Sequence, residues 1–276
     1  MKRAILLLAA GCAGEPDRIA AALGDGDPVT VFVIAGQSNA AGGAAVDDLP
    51  PELAWYAEPV EALHAYELNA PKDYSGAPAA VSTGWLPEVA PRYGTGLRMG
   101  VEVSAVRRLI ELHGPDVAIL KHATNGSNLF AHWDPDRRDG LYAYLVRYLD
   151  ARLAELPAGS RVGGLIWIQG NGDAAAPLDR ADDYGDNLAV LVTRFRERYG
   201  PIPVAIDWFP AFFEEVNADV VRAGQLEVAA TVPDVALIDA DDLGPARDSP
   251  GAHYTAAAFV ELGLRMADAL RERAPR

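Results

Sequence analysis

The 276-residue sequence holds one cysteine, Cys12, so no disulfide can close within the chain and a catalytic thiol would have to be that residue. Its place in an N-terminal apolar stretch argues against that role. Basic residues are also scarce. Against 39 Asp and Glu stand 24 Lys and Arg, a formal net charge of −15, with no basic stripe and no basic patch interleaved with aromatics. Phosphate backbones are bound by clustered Lys and Arg, so the composition argues against a nucleic-acid partner. No apolar run is long enough to span a bilayer as a helix. No internal repeat or low-complexity tract is present. Asp239, Asp241 and Asp242 lack the glycine-turned spacing of a calcium loop and read as a solvated acidic turn. The glycines near residue 24 are followed by no Lys-Ser/Thr pair, so they are not a phosphate loop. No metal and no cofactor are expected.

What is present is ordinary for a folded domain: 50% hydrophobic and 23% charged residues, over a length that can bury a sizeable core. Met1-Lys2-Arg3 followed by a short apolar run to Gly11 has the outline of a secretory signal. Ala9-Ala10-Gly11-Cys12 resembles a bacterial lipobox, whose cysteine becomes the lipidated first residue. It departs from that pattern in Ala9, where Leu is usual, and in the early cysteine. A start-site artefact or a buried N-terminal strand is the plainer alternative. The expectation is a secreted or lipid-anchored cell-envelope protein, with membrane contact through a lipid on Cys12. Residues 1–12 form the signal-like segment, 13–29 a linker, and 30–276 one domain.

From Thr30 onward, apolar β-branched runs alternate with helical spacing. Strands are expected at 31–35, 62–66, 117–121, 164–169, 204–208 and 236–239. Helices are expected at 99–113, 141–156, 184–199, 220–230 and 255–273. Residues 43–95, rich in Pro, Gly, Trp and Tyr, read as a long excursion with one short strand. This alternation predicts a three-layer α/β/α domain with a mainly parallel sheet.

Ligands of such sheets bind at the carboxyl ends of the strands. Four polar or small stretches lie there: 36–39, 122–127, 169–173 and 239–253. Ser38, in "FVIAGQSNAAGG", sits where a helix start would aim backbone N–H groups at an oxyanion. It is either an N-cap or a nucleophile, and a nucleophile needs a base. Of the five histidines, His113 fits a helix C-terminus, His64 and His132 lie in irregular surroundings, and His122 follows a strand. His253 lies in "DSPGAHYTAAAF", just before the last helix and downstream of Asp248, the arrangement a triad requires.

Five stretches, in order, resemble the SGNH hydrolases, and specifically carbohydrate esterases similar to sialate O-acetylesterase and acetyl xylan esterase. They are "GQSNAAG", "GVEVSAVRRLIE", "LKHATNGSNLFAHW", "IWIQGNGDA" and "AHYTAAAFVELGLRMADAL". The resemblance implies a flavodoxin-like SGNH fold and a serine esterase that removes acetyl groups from a carbohydrate. Ser38 would be the nucleophile and His253 the base. The N–H groups of Ser38 and Gly100 and the Gln169 side chain would form the oxyanion hole. Gln37, Asn125, Gly126, Ser127 and Asn171 would contact substrate. Two positions depart from the family pattern. Asn171 replaces the Glu of Gln-Gly-Glu, and Pro250 stands where the Asp of Asp-x-x-His belongs. Asp248 would orient His253 through a looped-out 249–251, with Asp242 or a bare Ser-His dyad as alternatives. The rival readings are a non-catalytic carbohydrate-binding relative and a lipase or thioesterase of the same superfamily.

Overall fold

The computed structural model describes residues 26–72, 77–92, 97–245 and 252–272. The signal-like segment with Cys12, most of the linker, and Asp248 lie outside the described residues. In chain order the strands are β1 (Thr30–Gly36), β2 (Ala44–Ala45), β3 (Val60–Leu68), β4 (Ala80–Val81), β5 (Leu86–Val89), β6 (Arg98–Met99), β7 (Val117–Ala123), β8 (Arg161–Ile168), β9 (Val204–Asp207) and β10 (Val235–Ile238). The helices are α1 (Ser38–Ala41), α2 (Glu102–His113), α3 (Leu141–Leu153), α4 (Asn171–Ala174), α5 (Leu178–Ala181), α6 (Tyr184–Tyr199), α7 (Ala218–Thr231) and α8 (Ala256–Glu272).

Unbroken apolar runs place β1 and β7 at the centre, because a strand covered on both faces needs no polar side. Six of the seven β1 residues and all seven of β7 are buried. The sheet runs β10-β9-β8-β1-β7-β3-β4, with β5 also paired to β3. Every pair from β10 to β3 is parallel, whereas β4 and β5 run antiparallel to β3. Helices flank the sheet; α2 packs on α8 and α6 packs on α7. The mainly parallel three-layer α/β/α architecture read from the sequence is the one observed.

The order of the strands selects a place for chemistry. After β1 the chain builds β3 and β7 on one side, then returns to lay β8, β9 and β10 on the other. The end of β1 is therefore the topological switch point, where a crevice opens. Register brings three strand ends level there, since Gly36 pairs with both Ala123 and Ile168.

The structure differs from the sequence reading around residue 100. The helix expected from 99 begins at Glu102, because Arg98 and Met99 pair with Ala45 and Ala44 as strand β6 on β2. The excursion at 43–95 holds more than one strand. Besides β2 and β3 it contributes β4, β5 and two 3-10 turns, Val46–Asp48 and Pro51–Ala57. His64, read as lying in irregular surroundings, is fully buried on β3.

Candidate active site

The turn that carries Ser38 depends on glycine. Gly36 has φ +143°, and a Cβ there would stand 2.0 Å from the Ile168 carbonyl oxygen, so no larger residue fits. That close approach lets the Gln37 N–H donate to Ile168 O at 3.0 Å. The chain then enters α1, whose first bonds are Ala41 N–H to Gln37 O and Gly42 N–H to Ser38 O. The N–H groups of Ser38, Asn39 and Ala40 precede those bonds and have no partner within the helix. Gly42, at φ +80°, ends the turn against Gly100, whose Cα would lie 2.8 Å from an added Cβ.

His253 arrives from the other end of the sequence and is held on both sides. Asn39 Nδ2 donates to the carbonyl of Ala252 at 3.0 Å. Tyr254 forms an antiparallel bridge with Pro245, and its hydroxyl lies 2.8 and 2.9 Å from the two carboxyl oxygens of Asp207. Its ring packs edge-on against Phe212 and Phe259 and tilted against Phe213. Ser38 and His253 consequently line one cavity of about 640 Å³, together with Asn125, Asn39, Asp48 and Arg98. Gly42, Gly43, Ala44, Ala45 and Phe259 supply small and apolar wall. A cavity of this size with a few converging polar groups suits a small ligand.

Several expected site residues sit behind this wall. Gln37 is buried and joins the ends of β1 and β8. Its Nε2 donates to Asn171 Oδ1 at 2.8 Å, and its Oε1 accepts from the N–H groups of Gly170 and Gly172. Ser127 is fully buried, with its Oγ accepting the Trp133 indole N–H at 2.9 Å. These bonds turn the Gln37 and Ser127 side chains into the fold. Gly126 is exposed, and its carbonyl accepts Lys72 Nζ at 2.6 Å. Asn171 is partly buried, and neither it nor Gly126 lines the cavity. Of that set, only Asn125 does.

The two further expected oxyanion donors, Gly100 and Gln169, also have partners within the fold. Gly100 N–H donates to Glu102 Oε1 at 3.0 Å. Gln169 Nε2 faces inward, 2.5 Å from Asp173 Oδ2 and 3.2 Å from Ser127 O. Asp173 in turn accepts the N–H groups of Leu129 and Phe130. Burial raises Asp173 to about 6, against the lowering effect of those hydrogen bonds. Gln169 therefore braces a loop rather than facing the cavity.

A buried ion pair lies under the Ser38 turn. Lys121 Nζ reaches Glu102 Oε2 at 2.6 Å and Ala41 O at 2.8 Å, and both side chains are fully buried. Burial lowers the Lys121 ammonium from its ordinary value, and Glu102 opposes that shift. The pair thus ties the end of α1 to the Gly100 turn. Beside it, His122 Nδ1 lies 3.1 Å from Glu67 Oε1. His132 accepts the Asn128 N–H through Nδ1 at 3.0 Å, and burial lowers its pKa to about 4, so the ring is neutral.

Asp248, the expected orienting acid, lies outside the described residues. Asp242, the alternative, has both carboxylate oxygens 2.7 Å from the Arg265 guanidinium. Among the described residues, no group of three or more His, Cys, Asp or Glu is placed to hold a metal ion. Nor is any helix long and apolar enough to cross a membrane. The sequence reading missed Asn39, Asp207 and Tyr254. Asn39 was visible as the polar residue beside Ser38, and Asp207 as a carboxylate ending an apolar strand.

A family model described as carbohydrate esterase, sialic acid-specific acetylesterase, matches residues 28–272. No curated protein sequence matches the chain. Among solved structures, a protein of Arabidopsis thaliana superposes with TM-score 0.69 at 19% identity, covering 90% of this chain and 100% of the other. A carbohydrate acetylesterase from Xanthomonas citri gives TM-score 0.65 at 21% identity, over 89% of this chain and 56% of its own. The protein NanS gives 0.63 at 15% identity, over 89% and 97%. At these identities the likeness shows the fold alone.

Proposed function

The chain belongs to the carbohydrate esterase family of sialic acid-specific acetylesterases, and from that premise we propose that it is a serine esterase releasing acetate from an acetylated carbohydrate. Membership supports acetyl-ester hydrolysis. The observation that carries the assignment to residues is the shared cavity of Ser38 and His253 at the switch point of the sheet.

In this reading Ser38 Oγ attacks the acetyl carbonyl and His253 takes its proton. The tetrahedral oxygen, now negative, is stabilised by the Ser38 N–H at the start of α1, which has no helical partner to give up. Asn125 supplies a side-chain hydrogen bond to the substrate from the facing wall. Collapse of the intermediate expels the sugar oxygen, which receives the proton from His253. Water, deprotonated by the same imidazole, then attacks the acetyl-serine; collapse breaks the bond to Ser38 Oγ, which takes the proton back from His253, and acetate leaves. Donors buried behind the wall, Gln169 and the Gly100 N–H, hold the turns in place.

The test is acetate release from acetylated sugars together with a p-nitrophenyl ester series of rising chain length, using Ser38→Ala as control. Acetyl specificity that disappears in Ser38→Ala supports the reading. A preference for long acyl chains would favour a lipase or thioesterase. Sugar binding without any Ser38-dependent turnover would make the chain a binding protein. Export and lipidation at Cys12 complete the proposal. Membrane fractionation of wild type against Cys12→Ala in the native host tests it, and identical soluble behaviour with an uncleaved N-terminus would overturn it.

A further inference from the structure

His253 sits between two residues that are each fixed from outside their own loop. Ala252 is held by Asn39, the neighbour of Ser38. Tyr254 is held by Asp207, whose backbone belongs to the sheet. Asp207 pairs with Ile238 in β10, and its carbonyl accepts Gln225 Nε2 at 3.1 Å. A loop histidine is thereby referenced to two strand ends, those of β1 and β9.

The Asp207 carboxyl is an expensive way to anchor a tyrosine. It is buried, and a buried carboxylate without a cation is strongly disfavoured. Arg222, which faces the same region, is bonded to Asp241 instead. Burial, reinforced by the charge of Asp241 and opposed by the Tyr254 hydrogen bond, raises Asp207 to about 8. At neutral pH the group is therefore a carboxylic acid, with both oxygens within hydrogen-bond distance of one hydroxyl. Tyr254 feels the same surroundings. Burial and Asp207 raise its phenol well above the ordinary value, so it too is neutral. The titratable and charged groups facing the pair are Asp241 and Arg222, with His253 adjacent in sequence.

We propose that Asp207 and Tyr254 form a positioning pair that fixes His253 in the cavity facing Ser38. The proposal rests on the reading of His253 as the base. The pair acts through the backbone at residue 254 and touches no reacting atom. Its requirement is a hydrogen bond, not a charge, since Asp207 is neutral at pH 7. Asp207→Asn keeps an acceptor for the Tyr254 O–H at the same place, whereas Asp207→Ala and Tyr254→Phe do not.

The experiment compares these three variants with wild type in steady-state hydrolysis of an acetyl ester at pH 7. It also records the His253 imidazole Cε1–Hε1 cross-peak, identified by its absence in His253→Gln. Tyr254→Phe and Asp207→Ala are expected to lose on the order of 30-fold or more in kcat with KM within about twofold, because a displaced base costs rate rather than binding. Asp207→Asn is expected to stay within about threefold of wild type, and thermal unfolding of that variant confirms an intact fold. The cross-peak should shift or broaden in the first two variants and stay in place in Asp207→Asn. Unchanged kcat in all three, or an Asp207→Asn loss equal to that of Asp207→Ala, would overturn the proposal. So would one identical cross-peak throughout. If wild type and Ser38→Ala are equally inactive, the esterase reading fails, and the cross-peak still decides whether the pair positions His253.

Discussion

Asn39 and Ala252, neighbours of Ser38 and His253, are joined by a single 3.0 Å hydrogen bond. The two candidate reacting residues come from opposite ends of the sequence, and this bond fixes the backbone of one against the turn of the other. Asn39→Ala removes it and leaves a carbonyl without its partner, at a cost of about 1–3 kcal/mol. We expect kcat for an acetyl ester to fall roughly 10- to 100-fold, in line with a base displaced by a fraction of an ångström. Steady-state kinetics check this, and wild-type kcat would refute it.

The Lys121–Glu102 pair under the α1 turn is fully buried. Breaking such a pair by removing one partner typically costs about 3–5 kcal/mol, because a charge is left uncompensated. Lys121→Met should lower the urea midpoint accordingly. Adding Glu102→Gln should restore part of the loss, since the amide oxygen still accepts the Gly100 N–H. Urea unfolding of the single and double variants measures the difference. A double variant less stable than Lys121→Met would contradict the account.

Two buried carboxyls predict how stability changes with pH. Asp207 titrates near 8 and Asp173 near 6 in the fold, both raised above the ordinary unfolded value of about 3.9. Between the unfolded and folded values the native state holds more protons. Each group's contribution is therefore full below about pH 4 and is lost as pH rises, through about 6 for Asp173 and about 8 for Asp207. Asp207→Asn removes the larger window. Its thermal midpoint should gain on wild type steadily from pH 5 to 8, measured by calorimetry. Parallel curves would show that Asp207 does not titrate in this way.

Gln169 separates two accounts of the site. As a brace between Asp173, Ser127 and Gln37, its loss by Gln169→Ala should lower unfolding free energy by about 1–3 kcal/mol. As a direct oxyanion donor it would instead cost about 10²–10³ in kcat with stability intact. Chemical denaturation alongside kinetics distinguishes them, and we expect the stability loss.

The elements legible in the sequence are those whose signal is local. Helix α6 spans 184–199 as read, because its apolar period runs uninterrupted until Gly200, where φ is +92°. The strands β1 and β7 announce themselves as apolar runs. What the sequence hides is set by distant partners. Arg98 and Met99 look like the start of a helix until Ala44 and Ala45 pair with them. Asn39 appears as a polar residue in a tight corner, because its partner lies 213 positions away. Gln37 and Ser127 look available for substrate, and only the packing of strand ends shows their bonds turned inward. Asp207 and Tyr254, 47 positions apart, carry no common motif. The reading of Ser38 and His253 came from motif order, and their shared cavity is consistent with it.

The central claim is that Ser38 is the nucleophile. A serine-directed fluorophosphonate, followed by peptide mapping with mass spectrometry, tests it without assuming any substrate. One adduct on Ser38, accompanied by loss of acetyl-ester hydrolysis and absent in Ser38→Ala, is the predicted result. An active enzyme that takes no label, or that carries the label on another residue, would contradict it.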